Sequence, residues 1–400
     1  MSKDIARSFN VPDGLLLDRI ETLRHEVRLS VRSPRRTARC ARCGVRSPRI
    51  HQTHRRRVVH DWIGDRRVIL VIAVRRFHCA PCGKPFTEAI PGHRPRRQHT
   101  DHAEERILAE LRGRSLAAVG QDLGVDDHTV AAVLRDALRG HPVSWPTRGD
   151  LRIGLDGHGA TKGSAPCTVT ELRLGRLLAV LPNDRQETIR AFLRSMPRDV
   201  QDRVTEVCTD LDHGFPSTIA AELPHARHVA DRFHVIQLAN RLLDQVRRVV
   251  QDPKRPIPKR VWLLGKEKLR SREMEAIVMW GERYPVLWEL WVCKEDLRQV
   301  YEVRHRRIAA YRLRTVTERY RSLPSGYARV FAGTLERWRE PILNFFTEHR
   351  TTNGYTEGLH RKFKMLQRVS FGFRNIETYI AKITLACVPL WLVLHHTQFR

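Results

Sequence analysis

Two pairs of cysteines constrain the fold of this chain more tightly than any other feature of its sequence. Cys40 and Cys43 lie in "CARCG", and Cys79 and Cys82 lie in "CAPCG". A C-x2-C spacing lets two thiolates on one tight turn bind the same tetrahedral Zn²⁺ ion. The segment between the pairs, "VVHDWIGDRRVILVIAVRRFHC", predicts two strands around a turn at "IGD". The pattern therefore predicts a zinc ribbon, in which a β-hairpin joins the two cysteine turns.

The residues around the cysteines leave two alternatives open and add one functional indication. Four ordinary buried cysteines without a metal would give the same spacing, and a nearby histidine could replace one thiolate. The histidines near the cysteines are His51, His54, His60 and His78. Arginines surround both turns, which is typical of a DNA-binding module. They are Arg35, Arg36, Arg39, Arg55, Arg56, Arg57, Arg75 and Arg76.

The positive charge of the chain is concentrated at its two ends. The 400 residues include 72 Lys and Arg against 44 Asp and Glu, which gives a formal net charge of +28. Residues 1–100 carry a net charge of +15 and residues 251–400 carry +14, whereas residues 101–250 carry −1. This distribution favours a polyanionic partner, most simply nucleic acid, over a purely solubilising role for the charge.

Length and composition restrict the class of protein further. The length suits two to four domains, and a hydrophobic content of 41% is sufficient for globular cores. The N-terminal residues show no signal-peptide pattern, and no apolar run approaches the roughly 18 residues of a membrane span. The apolar segment "ITLACVPLWLVLHH" is too short for a span and predicts a buried helix or strand. Eight cysteines do not indicate a secreted disulfide framework.

A second DNA-binding element is predicted in residues 115–138, "SLAAVGQDLGVDDHTVAAVLRDAL". Two short helices with periodic apolar residues flank a Gly-Val turn, and Asp126 or Asp127 can cap the second helix. This length and shape are typical of a helix-turn-helix, although similar patterns occur by chance in helical proteins. The second helix would present three side chains to a DNA groove, namely His128, Thr129 and Arg135.

From residue 151 onward, short hydrophobic strands alternate with amphipathic helices. "LRIGLD", "PCTVTEL" and "RLLAVLP" predict three strands, and "VTEVCTD" and "ARHVAD" predict two more after helical segments. The order β-β-β-α-β-α-β fits an α/β RNase H-like core, in which three antiparallel strands lead into two further strands through helical crossovers. Asn183 or Asp184 would cap the helix that follows the third strand.

Two of these strands end in an aspartate, Asp156 and Asp210. Ligands of open α/β sheets bind at the carboxyl ends of the strands, where acids from different strands can converge. Carboxylates are the hard oxygen ligands that Mg²⁺ prefers, and a pair of them suits a two-metal site. A single aspartate at a strand end is more often a turn cap, so the metal interpretation depends on the pair.

A third acid, Glu357, lies within "NGYTEGLHRKFKMLQRVSFGFRN", residues 353–375. On a helix that begins at the start of this segment, Glu357 shares one face with Arg361, Lys364 and Arg368, and the apolar residues lie opposite. An acid there can bind a metal while its basic neighbours bind phosphates. The alternative is a first-turn glutamate that interacts with the helix dipole and with Arg361, which contributes only about 0.3–1 kcal/mol.

Together these motifs resemble bacterial insertion-sequence transposases of the DDE type, close to the ISL3 family, over nearly the whole chain. The cysteine pairs followed by "FTE" resemble the N-terminal zinc finger of that family. "DRFHV" at 231–235 and the segment 353–375 resemble its most diagnostic sequences. The resemblance implies that Asp156, Asp210 and Glu357 form the DDE triad.

The chain departs from the family pattern at two positions. An acid often follows the first aspartate, where this chain has Gly157, and an aspartate is common where this chain has Glu171. The resemblance further implies that the triad binds two catalytic Mg²⁺ ions and that the four cysteines bind one structural Zn²⁺ ion. Asp231 and His234 are expected to support the site without being primary metal ligands.

The motifs and the resemblance predict four segments along the chain. They are a zinc-ribbon DNA-binding domain at residues 1–98, a helix-turn-helix at 99–142, a linker at 143–150, and an RNase H-like catalytic domain at 151–400 with a helical insertion at about 240–345. Four tryptophans of that insertion are expected to be core residues, namely Trp262, Trp280, Trp288 and Trp291.

The implied activity is cleavage of DNA at transposon ends, followed by strand transfer into target DNA. The expected partners are double-stranded DNA, as terminal inverted repeats and as target, and further copies of the chain, because two DNA ends must be held at once. No membrane partner is expected, and the implied location is the bacterial cytoplasm, on the nucleoid. Two alternatives remain: a non-catalytic, sequence-specific DNA-binding regulator, and an RNase H-like nuclease without strand transfer.

Overall fold

The computed structural model describes residues 3–159, 165–211, 214–252, 254 and 256–398. Contacts between residues divide the chain into two units. Unit 1 consists of Met1–His141, Leu366–Phe373 and Glu377–Arg400, and unit 2 consists of Pro142–Met365 and Arg374–Ile376. C-terminal residues therefore belong to the same unit as the N-terminal residues.

The strands and helices of the described residues are numbered here in chain order. The strands are β1 (Leu16–Thr22), β2 (Glu26–Arg32), β3 (Ala38–Arg39), β4 (Arg46–Ser47), β5 (Ile50–Ile63), β6 (Arg66–Cys79), β7 (Lys84–Thr87), β8 (Leu151–Gly157), β9 (Cys167–Glu171), β10 (Arg176–Leu181), β11 (Val204–Thr209) and β12 (Arg227–Ala230). The helices are α1 (Lys3–Ser8), α2 (Asp101–Leu111), α3 (Leu116–Leu123), α4 (Asp127–Leu138), α5 (Gln186–Ser195), α6 (Arg198–Gln201), α7 (Gly214–Glu222), α8 (Arg232–Val250), α9 (Lys259–Leu263), α10 (Ser271–Arg283), α11 (Pro285–Val300), α12 (Arg306–Ser322), α13 (Gly326–Arg337), α14 (Arg339–Leu343), α15 (Gly354–Val369), α16 (Ile376–Cys387) and α17 (Leu390–Gln398). A short 3₁₀ helix covers Lys266–Lys268.

The N-terminal sheet of unit 1 is built on the predicted hairpin. Strands β5 and β6 pair antiparallel around a turn at Gly64, and each is 14 residues long. The sheet order is β1-β2-β6-β5, with β2 parallel to β6 and with β7 also paired to β6. Val68, Leu70, Ile72 and Val74 alternate along β6 and are buried in its core, as a period of two requires. The sequence predicted the hairpin, and the structure adds the strands around it.

A helical region follows in unit 1 and contains the predicted helix-turn-helix, α3 and α4. The side chain of Ser115 caps α3, Gly124 ends it in a left-handed conformation, and Asp126 caps α4 by accepting a bond from the N–H of Thr129. The apolar faces of these helices share a core with Leu385 of α16 and Val393 of α17. The apolar C-terminal segment is thus helical and contributes to a core, as predicted.

The sheet of unit 2 has the order β10-β9-β8-β11-β12. Strands β8, β9 and β10 pair antiparallel, whereas β11 lies parallel to both β8 and β12. Strand β8 is therefore central, and the carboxyl ends of β8, β11 and β12 lie at one edge of the sheet. The three antiparallel strands and the two further strands agree with the order predicted from the sequence.

The predicted cap of α5 is wrong. The helix begins at Gln186 with Arg185 at the N-cap position, and no side chain among the described residues caps it. Asn183 instead accepts hydrogen bonds from the N–H of Arg185 and from the hydroxyl of Thr188, at 3.1 and 2.7 Å. Its side chain thereby closes a local turn in front of the helix and does not extend the helix by a turn.

Helices α8 to α14 of unit 2 lie between β12 and α15. Trp262 and Trp291 are buried in a core that these helices share with residues of β11 and β12, and Trp280 and Trp288 pack against that core, so all four tryptophans have the expected structural role. Within the described residues, no helix combines the length and apolarity that a membrane span requires.

Helix α15 begins where its first residues contact the sheet. The carbonyl of Asn353 accepts the N–H of Glu357 at 3.0 Å, and the side-chain amide of Asn353 donates to the carbonyl of Leu155 at 3.3 Å. The hydroxyls of Thr356 and Thr170 lie 2.7 Å apart. These bonds join the start of α15 to strands β8 and β9.

The close approach of Asn353 explains a glycine at position 154 of β8. A Cβ atom at Gly154 would lie 2.5 Å from Oδ1 of Asn353 and 2.6 Å from Oγ1 of Thr170. Real Cβ atoms essentially never show contacts this short, so a side chain at this position must displace the side chains of Asn353 and Thr170, which bond α15 to the sheet.

We expect Gly154→Ala to lower the free energy of unfolding by about 1–3 kcal/mol, because overpacking forces the surrounding backbone to move. Urea unfolding followed by circular dichroism measures this change. Gly333→Ala is the matched control, since within the described residues its added Cβ would meet no atom within 4 Å beyond its neighbours in helix α13. The control should be neutral or slightly stabilising. Equal stability of the two variants would show that Asn353 tolerates displacement.

Candidate active site and metal centre

Three aspartates lie at the carboxyl ends of three adjacent strands in unit 2. Asp156 is the penultimate residue of β8, Asp210 follows β11 directly, and Asp231 follows β12 directly. Because these strands are parallel to one another, their carboxyl ends share one edge of the sheet. Asp156 is only 4% exposed and Asp231 only 1%, whereas Asp210 is half-buried.

Glu357 joins this group from the first turn of α15. Potential ligand atoms of Asp231, His234 and Glu357 all lie within 4.8 Å of one another. The predicted helix therefore brings its one acid to the strand edge. Glu357 thereby lies close to Asp231 and His234 of the "DRFH" segment. The sequence prediction did not count these two residues among the primary metal ligands.

The carboxylates of the site influence one another electrostatically. Burial raises the pKa of Asp156 to about 7, and the negative charges of Asp210, Asp231 and Glu357 add to the rise. Burial also raises the pKa of Glu357, as does the charge of Asp231. The positive charge of His234 acts in the opposite direction on both acids. The acids therefore stabilise a nearby cation and destabilise one another when none is bound.

Asp231 and His234 form a bonded pair at the start of α8. One carboxylate oxygen of Asp231 lies 3.1 Å from Nδ1 of His234, and the other accepts the N–H of Asn353 at 3.0 Å. Burial alone would lower the pKa of His234, but the hydrogen bond to Asp231 and the charges of Asp156 and Asp210 raise it overall. Asp231 thus connects β12, α8 and the start of α15.

A chain of hydrogen bonds that was not foreseen from the sequence lies next to Asp156. Nδ1 of His360 lies 3.6 Å from Oδ2 of Asp156, and Nε2 of His360 lies 3.0 Å from the hydroxyl of Thr168. The same hydroxyl lies 3.1 Å from Nδ1 of His158. Burial lowers the pKa of His360 to about 3 and that of His158 to about 4, so both rings are neutral at pH 7.

Because each neutral ring carries one N–H group, the donors and acceptors along these hydrogen bonds depend on one another. If Nδ1–H of His360 points to Asp156, Nε2 of His360 accepts the hydroxyl of Thr168, which in turn accepts Nδ1–H of His158. The sequence contained a signal for these hydrogen bonds, since His360 lies three residues after Glu357 on one helix face and His158 lies two residues after Asp156, just beyond the end of β8.

Glu171, the position where the family resemblance favoured aspartate, lies away from these contacts. Its buried carboxylate accepts the N–H groups of Arg173 and Leu174, at 3.1 and 2.6 Å. It therefore closes the turn between β9 and β10.

An open cleft of about 600 Å³ adjoins the acids in unit 2. Its lining includes Asp231 and Glu357 together with the cations Lys268 and Arg298. Arg298 also contacts Glu267, so part of its charge is already neutralised. A cleft that combines acids with cations suits a metal ion next to a phosphate group.

The exposed face of α15 carries the predicted cations. Arg361, Lys364 and Arg368 are exposed, while Leu359 and Phe363 on the opposite face are buried. Glu357 itself is half-buried, between these two faces. The helical periodicity assigned to this segment is confirmed.

The three side chains predicted for the recognition helix α4 differ in availability. The side chain of His128 is 97% exposed. The hydroxyl of Thr129 donates to Asp126 at 2.5 Å, and Nη1 of Arg135 donates to the hydroxyl of Thr378 at 2.9 Å. Thr129 and Arg135 thus have intramolecular partners within unit 1, and only His128 is presented without reorganisation.

The four cysteines converge in unit 1 as the spacing predicted. Their sulfur atoms all lie within 4.8 Å of one another, with 3.4 Å between Cys43 and Cys79 and 4.0 Å between Cys40 and Cys82. Backbone N–H groups lower the pKa of Cys40 to about 6, which favours its thiolate form. Hydrogen bonds from Cys43 and Cys79 raise the pKa of Cys82 to about 12. A cluster of four sulfurs at this spacing suits one tetrahedral Zn²⁺ ion.

Each cysteine turn depends on the glycine that follows it. Gly44 and Gly83 have φ angles of 73° and 61°, which a residue with a Cβ rarely adopts. The turns connect β3 to β4 and β6 to β7. His60, one of the alternative ligands, is buried elsewhere and lies 2.9 Å from the hydroxyl of Thr100.

Three family models match the chain in the order of its structural segments. Residues 36–82 match the zinc finger of the transposases IS204, IS1001, IS1096 and IS1165. Residues 88–138 match the helix-turn-helix domain of transposase family ISL3. Residues 153–383, more than half of the chain, match a model described as a transposase.

Individual proteins are also similar over most of the chain. The transposase for insertion sequence element IS1001 of Bordetella parapertussis is 26% identical in an alignment of 360 residues that covers 87% of this chain and 88% of that protein. The transposase for insertion sequence element IS1557 of Mycobacterium tuberculosis is 24% identical in an alignment of 379 residues that covers 86% of this chain and 84% of that protein.

The cysteine cluster generates a prediction about metal content. We expect one Zn²⁺ ion per chain by elemental analysis, and we expect a strong chelator to unfold the N-terminal region. Structural zinc contributes an apparent binding free energy of about 10–16 kcal/mol, so its removal cannot be tolerated by a small ribbon. Cys43→Ser should lose the zinc, whereas Cys387→Ser, outside the cluster, should keep it. Zinc-free protein with an unchanged circular dichroism spectrum would contradict the assignment.

Proposed function

Because the chain belongs to transposase family ISL3, we propose that it cleaves DNA at the ends of a mobile element and joins the freed ends to target DNA. The observation that supports this proposal is that the charges of Asp210, Asp231 and Glu357 all act on the buried carboxyl of Asp156, at the carboxyl ends of the unit 2 strands. Cleavage would be followed by attack of the freed 3′-hydroxyl on a target phosphodiester at the same site, which forms a new P–O bond and breaks the bond to the 3′-oxygen of the target strand.

We propose that unit 2 has an RNase H-like core. The order β10-β9-β8-β11-β12 supports this, since three antiparallel strands are followed by two parallel strands reached through helical crossovers. In such an arrangement the acid of the central strand and the acid of its parallel neighbour lie side by side. The helical insertion α8–α14 then separates the second acid from the third along the chain.

The residues present fit divalent cations as cofactors. Burial and neighbouring carboxylates raise the pKa of Asp156 to about 7, which a nearby divalent cation would reverse. The donors available are carboxylate oxygens, the ligands that Mg²⁺ prefers. We propose that Asp156, Asp210 and Glu357 hold two Mg²⁺ ions, which when bound would lower the pKa of a water nucleophile and stabilise charge on the phosphate.

The roles of the remaining site residues follow from their bonds. Both carboxylate oxygens of Asp231 are already engaged, by Asn353 and by His234, and Asp231 is almost completely buried. We therefore assign Asp231 to positioning Glu357 through Asn353, and His234 to holding Asp231. His360 would orient the carboxylate of Asp156, and Thr168 would fix the tautomer of His360.

The chain also offers several surfaces for DNA. We propose that the zinc ribbon and α4 recognise the terminal inverted repeats, with His128 at the exposed start of α4. Arg361, Lys364 and Arg368 would bind phosphates along the exposed face of α15. Because both element ends must be held during strand transfer, the active form would be a dimer or a larger assembly on DNA.

Two competing functions account for less of the structure. A non-catalytic regulator would need the zinc ribbon and the helix-turn-helix, but it leaves the converging acids of unit 2 without a role. An RNase H-like nuclease would use the acids but would not join DNA. Joining of a precut end with a 3′-hydroxyl to a second DNA molecule separates this nuclease from a transposase.

The triad generates a catalytic prediction. Glu357→Gln keeps the size of the side chain and its hydrogen-bonding capacity but removes the charge that binds metal. We expect this variant, Asp156→Asn and Asp210→Asn to bind element-end DNA and to lose at least about a hundredfold in cleavage and joining with Mg²⁺. Cleavage and joining are measured on labelled DNA of the element end.

The matched control is Glu348→Gln, an exposed acid shortly before α15. It should cleave at the parent rate and unfold at the parent temperature. If Glu357→Gln also cleaves at the parent rate, Glu357 serves the helix dipole of α15 and the triad assignment fails. If the parent protein cleaves but never joins precut ends, the nuclease alternative is correct.

The cationic face of α15 generates a prediction about salt dependence. Each phosphate contact releases counterions, so removing one contact should reduce the slope of log affinity against log salt by about 0.9. We expect this reduction for Arg361→Gln and for Lys364→Gln, measured by fluorescence anisotropy. Arg314→Gln, an exposed residue of α12, is the control and should keep the parent slope. Unchanged slopes in both test variants would remove α15 from the DNA-binding surface.

A further inference from the structure

Helix α15 ends in a turn where an aromatic residue occupies a position typical of glycine. The N–H of Phe371 donates to the carbonyl of Arg368 at 3.1 Å, and the N–H of Gly372 donates to the carbonyl of Gln367 at 2.8 Å. This pair of bonds is the Schellman motif, whose first residue beyond the helix cap is left-handed and usually glycine. Phe371 is that residue, with a φ angle of 53°.

Two features of Phe371 are unfavourable for the folded protein, and the part of the chain that the structure describes offers no contact that compensates for them. A left-handed backbone is rare for a bulky residue. A large apolar ring that stays exposed to water also contributes no free energy of burial to the folded state. Phe371 is 99% exposed. Phe373, two residues later, is half-buried, and its ring packs on Tyr379 with centroids 5.3 Å apart. Phe373 therefore anchors the turn, whereas Phe371 does not.

The surroundings of Phe371 indicate the chemistry of its partner. Arg368 is exposed one turn earlier on α15, in line with Arg361 and Lys364. An aromatic ring next to a row of cations matches a nucleotide, because the ring stacks on the base and a cation binds the phosphate. A backbone conformation that is unfavourable without a ligand is often retained at a binding site.

A second copy of the chain is the alternative occupant, since Val369 and Met365 are also partly exposed. Charge argues against it. A symmetric contact through this face would place the cations of α15 in one copy against the same cations in the other. Like charges repel at such an interface, whereas the phosphates of DNA attract them.

We propose that Phe371 stacks on a DNA base that has left the duplex at the element end, while Arg368 binds an adjacent phosphate. This inference rests on the proposed function for its DNA partner. Extruding a base requires the loss of its stacking and pairing, and an aromatic ring replaces part of the lost stacking. Phe371 would therefore favour an opened DNA end and would not read its sequence.

The test uses the full chain with Glu357→Gln, so that DNA remains intact during binding. Element-end DNA carries 2-aminopurine at one position at a time, because the fluorescence of this base rises when it leaves the stack. Phe371→Gly, Phe371→Asn and Phe371→Trp are compared with the parent and with Tyr311→Ala. Tyr311 is an exposed aromatic residue of helix α12 and serves as the control.

We expect the parent to bind end DNA with a rise in fluorescence at one or two adjacent positions. Phe371→Gly should unfold at an equal or higher temperature, since glycine suits the left-handed turn. It should nevertheless bind end DNA roughly 5- to 100-fold more weakly and lose the fluorescence rise, because stacking on an aromatic residue is lost. Phe371→Asn should behave like Phe371→Gly. Phe371→Trp and Tyr311→Ala should retain both signals.

Three outcomes would overturn the proposal. The first is equal affinity and equal fluorescence for Phe371→Gly and the parent. The second is a fall in affinity that is matched by a fall in unfolding temperature in both Phe371→Gly and Phe371→Asn. The third is a lower molecular mass in solution for Phe371→Gly than for the parent, both measured without DNA. This result would identify the turn as a contact between copies of the chain. A parent that binds no DNA would instead show that the proposed function has failed.

Discussion

The central constraint on this structure is the crowding of four carboxylates at one edge of the unit 2 sheet, in a chain with a net charge of +28. Three of the acids follow from the topology, because β8, β11 and β12 are parallel and end side by side. Their mutual repulsion and the burial of Asp156 are unfavourable for the isolated fold, and a bound divalent cation would relieve both. Glu357 completes the group only because α15 begins at that edge.

Hydrogen bonds between distant segments hold α15 in this position. Asn353 bonds to Leu155 and Asp231, and Glu206 of β11 accepts the hydroxyl of Thr347 at 3.0 Å and also that of Thr351. These contacts lie within unit 2. The helices α8–α14 share one core with Cys208 of β11 and with Val229 and Ala230 of β12, so the long segment between Asp210 and Glu357 packs on the sheet that carries the site. The segment before α15 then returns to the sheet through polar side chains as well.

The features that could be predicted from the sequence are those that depend on local periodicity and short spacing. The cysteine pairs, the hairpin β5–β6, the helix-turn-helix, the five strands of unit 2 and the two faces of α15 all have such signals. The contacts that organise the site could not be predicted, since Leu155 and Asn353 are 198 residues apart and Thr168 and His360 are 192 apart. Likewise, no periodicity indicates that the C-terminal helices share a unit with the N-terminal domain. The local sequence also does not show that Asn183 closes a turn in front of α5 instead of capping that helix.

The most direct test of the central claim is a crystal structure of the full chain with Mn²⁺, in which anomalous scattering locates the metal ions. We expect Mn²⁺ bound to carboxylate oxygens of Asp156, Asp210 and Glu357, with Asp231 still bonded to Asn353 and His234. Mn²⁺ bound by Asp231 and His234, with Asp156 uninvolved, would contradict it. The acid of the central strand would then have no part in the metal site, and the roles assigned to the triad and to its supporting residues would have to be exchanged.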